Sequence, residues 1–279
     1  MDRQSLYAMN IHYRYYDLEY FFKECNRLQF KNAELWLCPQ HFYINSMWNE
    51  SPDKLKRLMD KYQVKIVCIC PEQNNPKPNN IAARSGILIE NTEKYFKRVI
   101  NLANEIECKM ILITPGWNYY DESVDEARER SARMIRKLCD YASEYEINLV
   151  MESIWNKSTD IANTKEKIKL LKDMIDRSNL KLTVDLGALR DVGESVNEWF
   201  DMFKGDVMHC HFTDGTPTGH MPWGLGECNM QEVLGEFQRN DYQGGFSMEY
   251  VDPRSFKSPE LWDKSTLEQF EKCIKQMGE

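Results

Sequence analysis

Ile147-Asn148-Leu149-Val150-Met151-Glu152 is a short, mostly apolar run that ends on a side chain able to bind a metal, and three later segments repeat this pattern. They are Leu180-Lys181-Leu182-Thr183-Val184-Asp185, Val207-Met208-His209-Cys210-His211 and Gly245-Phe246-Ser247-Met248-Glu249. Short runs rich in β-branched residues, Leu and Met are typical of buried strands. The last residues of these runs are 33, 26 and 38 positions apart, about the length of one strand followed by one helix. The pattern predicts repeated strand–helix units with polar side chains at the strand ends.

Eight strand candidates alternate with helical patterns along the chain, which predicts a parallel sheet with crossover helices. The expected strands are Leu6–His12, Ala33–Leu37, Val64–Cys70, Met110–Thr114, Asn148–Glu152, Lys181–Asp185, Val207–Phe212 and Gly245–Tyr250. Eight such units favour closure into a barrel over an open sheet. We therefore predict an α/β fold, a single (β/α)8 TIM barrel domain over residues 1–279, with its active site at the C-terminal rim of the strands.

Two helix starts carry the pattern of a capping box, in which a short polar residue is followed three positions later by Glu or Gln. Asn229 and Glu232 have this spacing before the apolar pair that follows them. Ser265 and Glu268 have the same spacing and predict the start of the last helix.

The composition argues against several classes of protein. The formal charge of −8 disfavours a nucleic-acid partner, which requires a basic surface. No run approaches the ~18 apolar residues of a membrane span, and the first residues lack the apolar core of a signal peptide. Most of the nine cysteines lie in apolar runs, and none forms a Cys-x-x-Cys pair. We therefore expect reduced thiols in a cytoplasmic protein, not a disulfide framework or a zinc finger.

The predicted barrel brings four metal-ligand candidates to one rim: Glu152, Asp185, His211 and Glu249. A single strand-end Glu is more often a salt-bridge partner, but four such ends in succession favour a shared cation, because buried carboxylates need a compensating charge. The oxygen-rich set without a thiolate predicts one divalent ion, with Mn²⁺ preferred and Mg²⁺, Co²⁺ or Zn²⁺ as alternatives. His209 shares the face of His211 and should pack one layer below the site.

The segment from His211 to Glu227 resembles a known family. It reads His211-Phe212-Thr213-Asp214-Gly215, then Gly219-His220-Met221-Pro222-Trp223-Gly224-Leu225-Gly226-Glu227. Together with the glutamates and aspartate at the other strand ends, it resembles the xylose-isomerase-like family of sugar isomerases and epimerases. Glu34-Leu35-Trp36, Pro71-Glu72 and Asp185-x-x-Ala188 are most similar to the fructoselysine 3-epimerase branch of that family.

The resemblance implies a divalent-metal-dependent isomerase that epimerises C3 of a ketose or of a fructosamine such as fructoselysine. A cation that contacts the ketone oxygen and the neighbouring hydroxyl stabilises an enediolate. As in family members with this ligand set, Glu152 and Glu249 would remove and return the proton on opposite faces, while Asp185 and His211 mainly hold the ion. The alternatives are another sugar isomerase, an inosose-type dehydratase, or a barrel that only binds a sugar or a partner protein.

Two positions depart from the family pattern. Ala188 cannot supply the imidazole that contacts the substrate in free-ketose epimerases, and Ser158 stands where many relatives have a glutamate. The trinuclear zinc endonucleases of the same superfamily need more histidines than the five in this chain. These departures disfavour a nuclease and place the free-ketose substrate geometry in doubt.

Five further residues near the expected rim are predicted to contact a small sugar substrate: His41, Glu72, Trp117, Arg190 and His220. Glu72 would pair with the ammonium group of an amino-acid-linked ketose, and Arg190 with a carboxylate or phosphate. Trp117 would stack on a sugar face. Because barrels of this family are often oligomeric, we also expect a homo-oligomer, with no nucleic-acid or membrane partner.

Overall fold

The computed structural model describes residues 1–73, 78–154 and 159–278; Ser158 lies outside these ranges. The strands are β1 Leu6–Met9, β2 Asn32–Trp36, β3 Lys65–Cys70, β4 Met110–Ile113, β5 Asn148–Glu152, β6 Leu180–Asp185, β7 Val207–His211 and β8 Gly245–Ser247. Each strand pairs in parallel with the next, and β1 also pairs with β8. The sheet is therefore a closed eight-stranded barrel, and the predicted TIM-barrel fold is confirmed.

Helices connect the strands and surround the barrel. They are α1 Leu18–Arg27, α2 Asp53–Tyr62, α3 Gly86–Glu105, α4 Val124–Ser143, α5 Lys165–Ile175, α6 Leu186–Asp191, α7 Val196–Phe203, α8 Met230–Arg239 and α9 Pro259–Gly278. Short 3₁₀ turns occupy Arg3–Ser5, Asn10–Tyr13 and Pro253–Ser255. Within the described ranges no helix has both the length and the apolar character needed to cross a membrane.

Side-chain caps define several helix starts. Ser85, Ser123 and Thr164 accept a backbone N–H from the first turn of α3, α4 and α5, and each such cap contributes about 1 kcal/mol. Asn229 caps α8 as predicted, by accepting two backbone N–H groups. The predicted start at Ser265 is wrong, because α9 already begins at Pro259 and Ser265 lies inside it.

The inner face of the barrel places an apolar layer directly beneath the strand ends. Residues two apart in a strand point to the same side, so Val150 and Glu152 share the inner face of β5. Val150 packs with Met9, Cys68 and Leu112 from β1, β3 and β4 in one buried cluster. Because the helices cover the outer face of the sheet, both faces are buried, which is why the strands read as apolar runs without polar alternation.

Five strands end earlier than predicted: β2, β4 and β7 by one residue, and β1 and β8 by three. β1 stops at Met9 and β8 stops at Ser247, so Glu249 lies in a turn after its strand, where its N–H donates to the Ser247 carbonyl at 3.0 Å. The apolar pattern continues to Tyr250 for another reason. Tyr250 is buried and its hydroxyl donates to Thr266 Oγ1 of α9 at 2.7 Å, so packing against a helix replaces strand pairing.

A buried polar cluster ties the start of the barrel to its last helix. Asp263 of α9 is 1% exposed, accepts from the Tyr13 hydroxyl at 2.6 Å and lies 2.8 Å from His12 Nε2. Both partners lie in the 3₁₀ turn that follows β1. The cluster therefore fixes the segment that borders the C-terminal rim on this side of the barrel.

Candidate active site

The four strand-end residues selected from the sequence lie together at the C-terminal rim. His211 is at the centre: its Nδ1 lies 3.1 Å from Glu152 Oε2 and 3.0 Å from Glu249 Oε2. One ligand atom from each of Glu152, Asp185 and His211 lies within 4.8 Å of the others. β5, β6 and β7 are adjacent in the sheet, and β8 follows β7, so neighbouring strand ends bring these side chains together.

His220, predicted as a substrate contact, belongs to this same cluster. Its Nε2 lies 2.9 Å from Asp185 Oδ2 and 3.3 Å from Glu249 Oε2, and these three residues form a second group with ligand atoms within 4.8 Å. The close approach requires a glycine at position 187, since a Cβ there would lie 2.9 Å from the Gly219 carbonyl oxygen and 3.1 Å from His220 Cε1. His220 is therefore a fifth candidate ligand.

Asp214 organises the loop that carries His220. Its carboxylate accepts backbone N–H groups from Gly224 and Gly226 at 2.9 Å each and from Cys228 at 3.0 Å. A backbone bridge pairs Asp214 with Met221, next to His220. The His-x-x-Asp motif thus combines a cluster residue with an aspartate that shapes the loop.

Burial and mutual charge perturb the pKa values of Glu152, Asp185, His211 and His220. Burial raises the pKa of Glu152 to about 7, although the nearby His211 acts in the opposite direction. Burial alone would also raise the pKa of Asp185, but the charge of His220 prevails and lowers it to about 2. Burial disfavours the charged form of His220, and Asp185 more than offsets this, raising the pKa to about 9. Strong coupling of this kind is typical of functional sites.

Glu34 lies one layer below the cluster and contacts His211 of the cluster and His209 beneath it. Its Oε1 lies 3.3 Å from His211 Nε2, and its Oε2 lies 2.7 Å from His209 Nε2. Burial alone would raise the pKa of Glu34, but the charges of His209 and His211 hold it well below its usual range. An ionised Glu34 accepts a hydrogen bond from the Nε2–H group of His211. The other ring nitrogen, Nδ1, therefore faces the rim. The position of His209 below the site agrees with the prediction.

The donor set fits a divalent cation. Glu152 Oε2 and His211 Nδ1 are both buried, and neither has a hydrogen-bond partner in the described part of the chain despite their 3.1 Å separation. Buried polar atoms rarely lack a hydrogen-bond partner unless they have a functional role. Carboxylates from Glu152, Asp185 and Glu249 with one or two imidazoles match the preference of Mn²⁺ and similar ions for oxygen and nitrogen ligands.

Replacing Glu34 by glutamine should weaken cation binding without removing a ligand. The neutral amide accepts a weaker hydrogen bond from the Nε2–H group of His211 than the carboxylate does. The orientation of the histidine ring is therefore held less firmly. Changes to groups that orient a metal-binding histidine typically cost about 10- to 100-fold in affinity. Calorimetric titration with Mn²⁺ measures the effect. Glu24→Gln, which removes a buried carboxylate paired with Arg27 on α1, is the control and should bind Mn²⁺ like the unaltered protein. Equal affinity in both variants would contradict the assigned role of Glu34.

A cleft opens above the cluster at the same rim. It is lined by Ile11, Trp36, Cys70, Pro71, Glu72, Gln73, Leu112, Thr114, Glu152 and Glu249. Glu72 is therefore the predicted substrate contact that shares the cleft with both strand-end glutamates. Gln73 is braced there by its side chain, which donates to the Leu112 carbonyl at 3.3 Å and accepts from the Thr114 N–H at 2.9 Å. The wall of the cleft is built from the ends of several strands.

The structure does not bring the other three predicted contacts into this cleft. His41 is fully buried, with Nδ1 2.6 Å from Asn10 Nδ2 and Nε2 2.9 Å from the Tyr16 carbonyl oxygen. Arg190 donates to the Thr213 carbonyl and to Cys228 Sγ, so it braces the loop after β7. Trp117 packs on Tyr119 at 4.9 Å, and both of its backbone polar groups bond to Asn80. Each of these three side chains lies outside the lining of this cleft and has contacts within the protein.

The buried His41 should make stability depend on pH. Asn10 Nδ2 donates to His41 Nδ1, which requires a neutral ring, and burial lowers the pKa of His41 below its ordinary value. The unfolded chain, with a histidine pKa of about 6.5, therefore binds a proton more readily than the folded one. The stabilisation is complete above about pH 6.5 and is lost as the pH falls from there through the folded pKa.

Urea unfolding of the unaltered protein and of His41→Gln at pH 7.5, 6.5 and 5.5 measures this. The free-energy difference between the two proteins should be largest at pH 7.5 and should shrink towards pH 5.5. A difference that does not change with pH would contradict the neutral ring.

Comparison with known proteins agrees with this geometry. The family model described as "Xylose isomerase-like TIM barrel" matches residues 22–273. A fructoselysine 3-epimerase of Shigella flexneri is 22% identical over 255 residues, which are 91% of this chain and 92% of the relative. A D-allulose 3-epimerase from Methylomonas sp. in complex with D-allulose superposes with a TM-score of 0.78 at 16% identity, over 96% of each chain. A D-tagatose 3-epimerase-like protein gives 0.72 at 21% identity, over 88% of this chain and 91% of its own.

At these identities the solved structures show a shared fold, whereas the family match extends over most of the chain. On that match, the chain belongs to the xylose isomerase-like TIM barrel family.

Proposed function

We propose that this protein is a divalent-metal-dependent sugar 3-epimerase that acts on a ketose or a fructosamine. The observation that carries the proposal is the placement of Glu152 and Glu249, whose carboxylates each lie about 3 Å from His211 Nδ1 and line one cleft. Sugar epimerases among its relatives and among proteins of the same fold support the reaction class.

Glu152, Asp185, His211 and Glu249 would hold the cation, with His220 beside them. When bound, the cation would polarise the ketone oxygen and so acidify the neighbouring C–H bond. Asp185 is fixed for this role, because its Oδ1 accepts the Gly187 N–H at 2.7 Å while its Oδ2 faces His220. Mn²⁺ is the ion we expect first for this mixed set of carboxylates and imidazoles.

The two glutamates would move the proton. Glu152 and Glu249 reach the cleft from strands three positions apart around the barrel, so a sugar carbon between them would have a carboxylate on each face. One carboxylate takes the proton from C3 as the C–H bond breaks, and the other, protonated, delivers a proton to the opposite face. Burial raises the pKa of Glu152 to about 7, which makes it a stronger base than a solvated carboxylate. The carbon is inverted with no net change in oxidation state.

A panel of ketoses and fructosamines in heavy water with Mn²⁺ tests the reaction. Nuclear magnetic resonance should show deuterium entering at C3 together with formation of the C3 epimer. Loss of water from the sugar would indicate a dehydratase instead, and exchange at C1 or C2 would indicate another isomerase. Absence of exchange at C3 across the panel would end the proposal.

A further inference from the structure

Arg14 is held at the edge of the cleft by two aromatic rings. Its guanidinium carbon lies 5.1 Å from the centre of the Trp36 ring and 4.5 Å from that of Phe256. Trp36 lines the cleft. Stacking of this kind fixes the plane of a guanidinium group and is favourable by itself. Arg14 therefore lies directly behind one residue of the cleft lining and is partly buried.

The orientation of Arg14 is fixed from the backbone side as well. Its Nε donates to the carbonyl of Ile11 at 2.9 Å, and Ile11 also lines the cleft. In the described part of the chain, neither terminal nitrogen of Arg14 has a hydrogen-bond or ion-pair partner. A guanidinium group whose Nε is hydrogen-bonded and whose two terminal nitrogens have no partner can bind an oxyanion through two parallel hydrogen bonds.

Within the described ranges, no direct ion pair neutralises the charge of Arg14. Burial lowers its pKa, and the carboxylates of Glu72 and Glu249 are near enough to act in the opposite direction, but neither forms an ion pair with it. Arg190, which the sequence suggested as the cation for a carboxylate or phosphate, instead donates to loop atoms after β7. Of these two arginines, Arg14 is therefore the one positioned for a ligand at this rim.

We propose that Arg14 is a specificity-determining residue that binds an oxyanion, a carboxylate or a phosphate, on the part of the substrate away from C3. The inference rests on the proposed epimerase function and narrows its substrate class to anionic sugars. Arg14 contacts the bound substrate but not the reacting carbon, so it should act on binding and kcat/KM more than on the chemistry.

Matched substrate pairs test the requirement for an anion in the unaltered protein. The first pair is the fructosamine of lysine and that of cadaverine, which lacks only the carboxylate. The second pair is fructose 6-phosphate and fructose. For each compound, C3 exchange and calorimetric binding are measured with Mn²⁺ present. We expect the anionic member of one pair to be favoured by about 10- to 100-fold in kcat/KM and in affinity, the range of a charged hydrogen-bonded contact. The favoured pair identifies the carboxylate or the phosphate as the source.

Variants test whether Arg14 is the cause. Arg14→Met should remove the preference, and Arg14→Lys should restore part of it, because Lys keeps the charge without the planar fork. Arg57→Met, which removes the same charge from an exposed position on α2, should leave the preference intact. No preference in the unaltered protein, or a preference that survives Arg14→Met, overturns the inference.

Binding separates this inference from the proposed function. Without any C3 exchange the epimerase proposal fails, while anion-selective binding that depends on Arg14 would still support the inference. If no anionic compound binds more tightly than its neutral partner, the inference fails even where exchange occurs.

Discussion

Glutamine in place of Glu152 or of Glu249 is expected to lower epimerase turnover by about 10²- to 10⁴-fold, the usual contribution of a positioned acid or base. The amide keeps the size and an oxygen that can contact a cation, but it cannot exchange a proton at neutral pH. Both carboxylates line the cleft and both lie about 3 Å from His211 Nδ1, and the proposed mechanism gives each of them a different face of the sugar. Turnover is measured at saturating Mn²⁺, with metal content determined for each variant.

Isotope exchange adds a second readout for these variants. If one glutamate removes the proton and the other returns it, each variant should lose exchange from one epimer more than from the other. Glu144→Gln, at an exposed position after α4, is the control and should keep full activity. Normal turnover in both cleft variants with the cation bound would show that the proposed mechanism is wrong.

Removal of the cation should abolish activity, and Asp185→Asn should mimic that removal. Changes to residues that only orient the metal ligands typically lower the affinity for the cation by roughly 10- to 100-fold. Loss of a residue that would contact the cation directly is expected to lower it further. The substitution also removes a carboxylate that His220 and the Gly187 N–H both contact. Dialysis against a chelator, followed by addition of Mn²⁺, Mg²⁺, Co²⁺ or Zn²⁺, measures the requirement and the preferred ion.

Thermal unfolding gives an independent measure of the same site. A cation present at 100 times its dissociation constant stabilises the folded state by about 2.7 kcal/mol, so Mn²⁺ should raise the melting temperature of the unaltered protein. Asp185→Asn should lose most of that increase, whereas Asp201→Asn, at an exposed position on α7, should retain it. Full activity after complete removal of divalent ions would exclude the metal-dependent reaction.

The barrel and the ligand candidates of β5, β6 and β7 were predictable because local pattern decides them. Each strand is buried on both faces and therefore reads as a continuous apolar run, and the polar residue that ends the run marks the rim. Glu152 and Asp185 are the last residues of their strands, as expected, and His211 ends β7 one residue before the predicted end of that strand. β8 is different, because burial of Tyr250 against α9 prolongs the apolar pattern after the last strand bond.

Other parts of the site were less accessible to sequence reasoning. The position of Glu34 in the middle of an apolar strand could have predicted a buried polar partner, because a buried carboxylate needs one. Its partners His209 and His211 lie 175 and 177 residues away along the chain. No local pattern shows that three such residues meet inside a barrel.

What the sequence determined by itself is the fold and the rim at which polar strand ends collect, because strand burial and strand–helix spacing are local properties. Only the tertiary structure decided which polar residues near that rim face the cleft. His220 joins the cluster through a loop shaped by Asp214, Arg14 is held beside the cleft residue Trp36 by two aromatic rings, and His41 is bonded inside the protein. Loop conformation and contacts between distant segments set these directions, and neither is written in the periodicity of a single strand or helix.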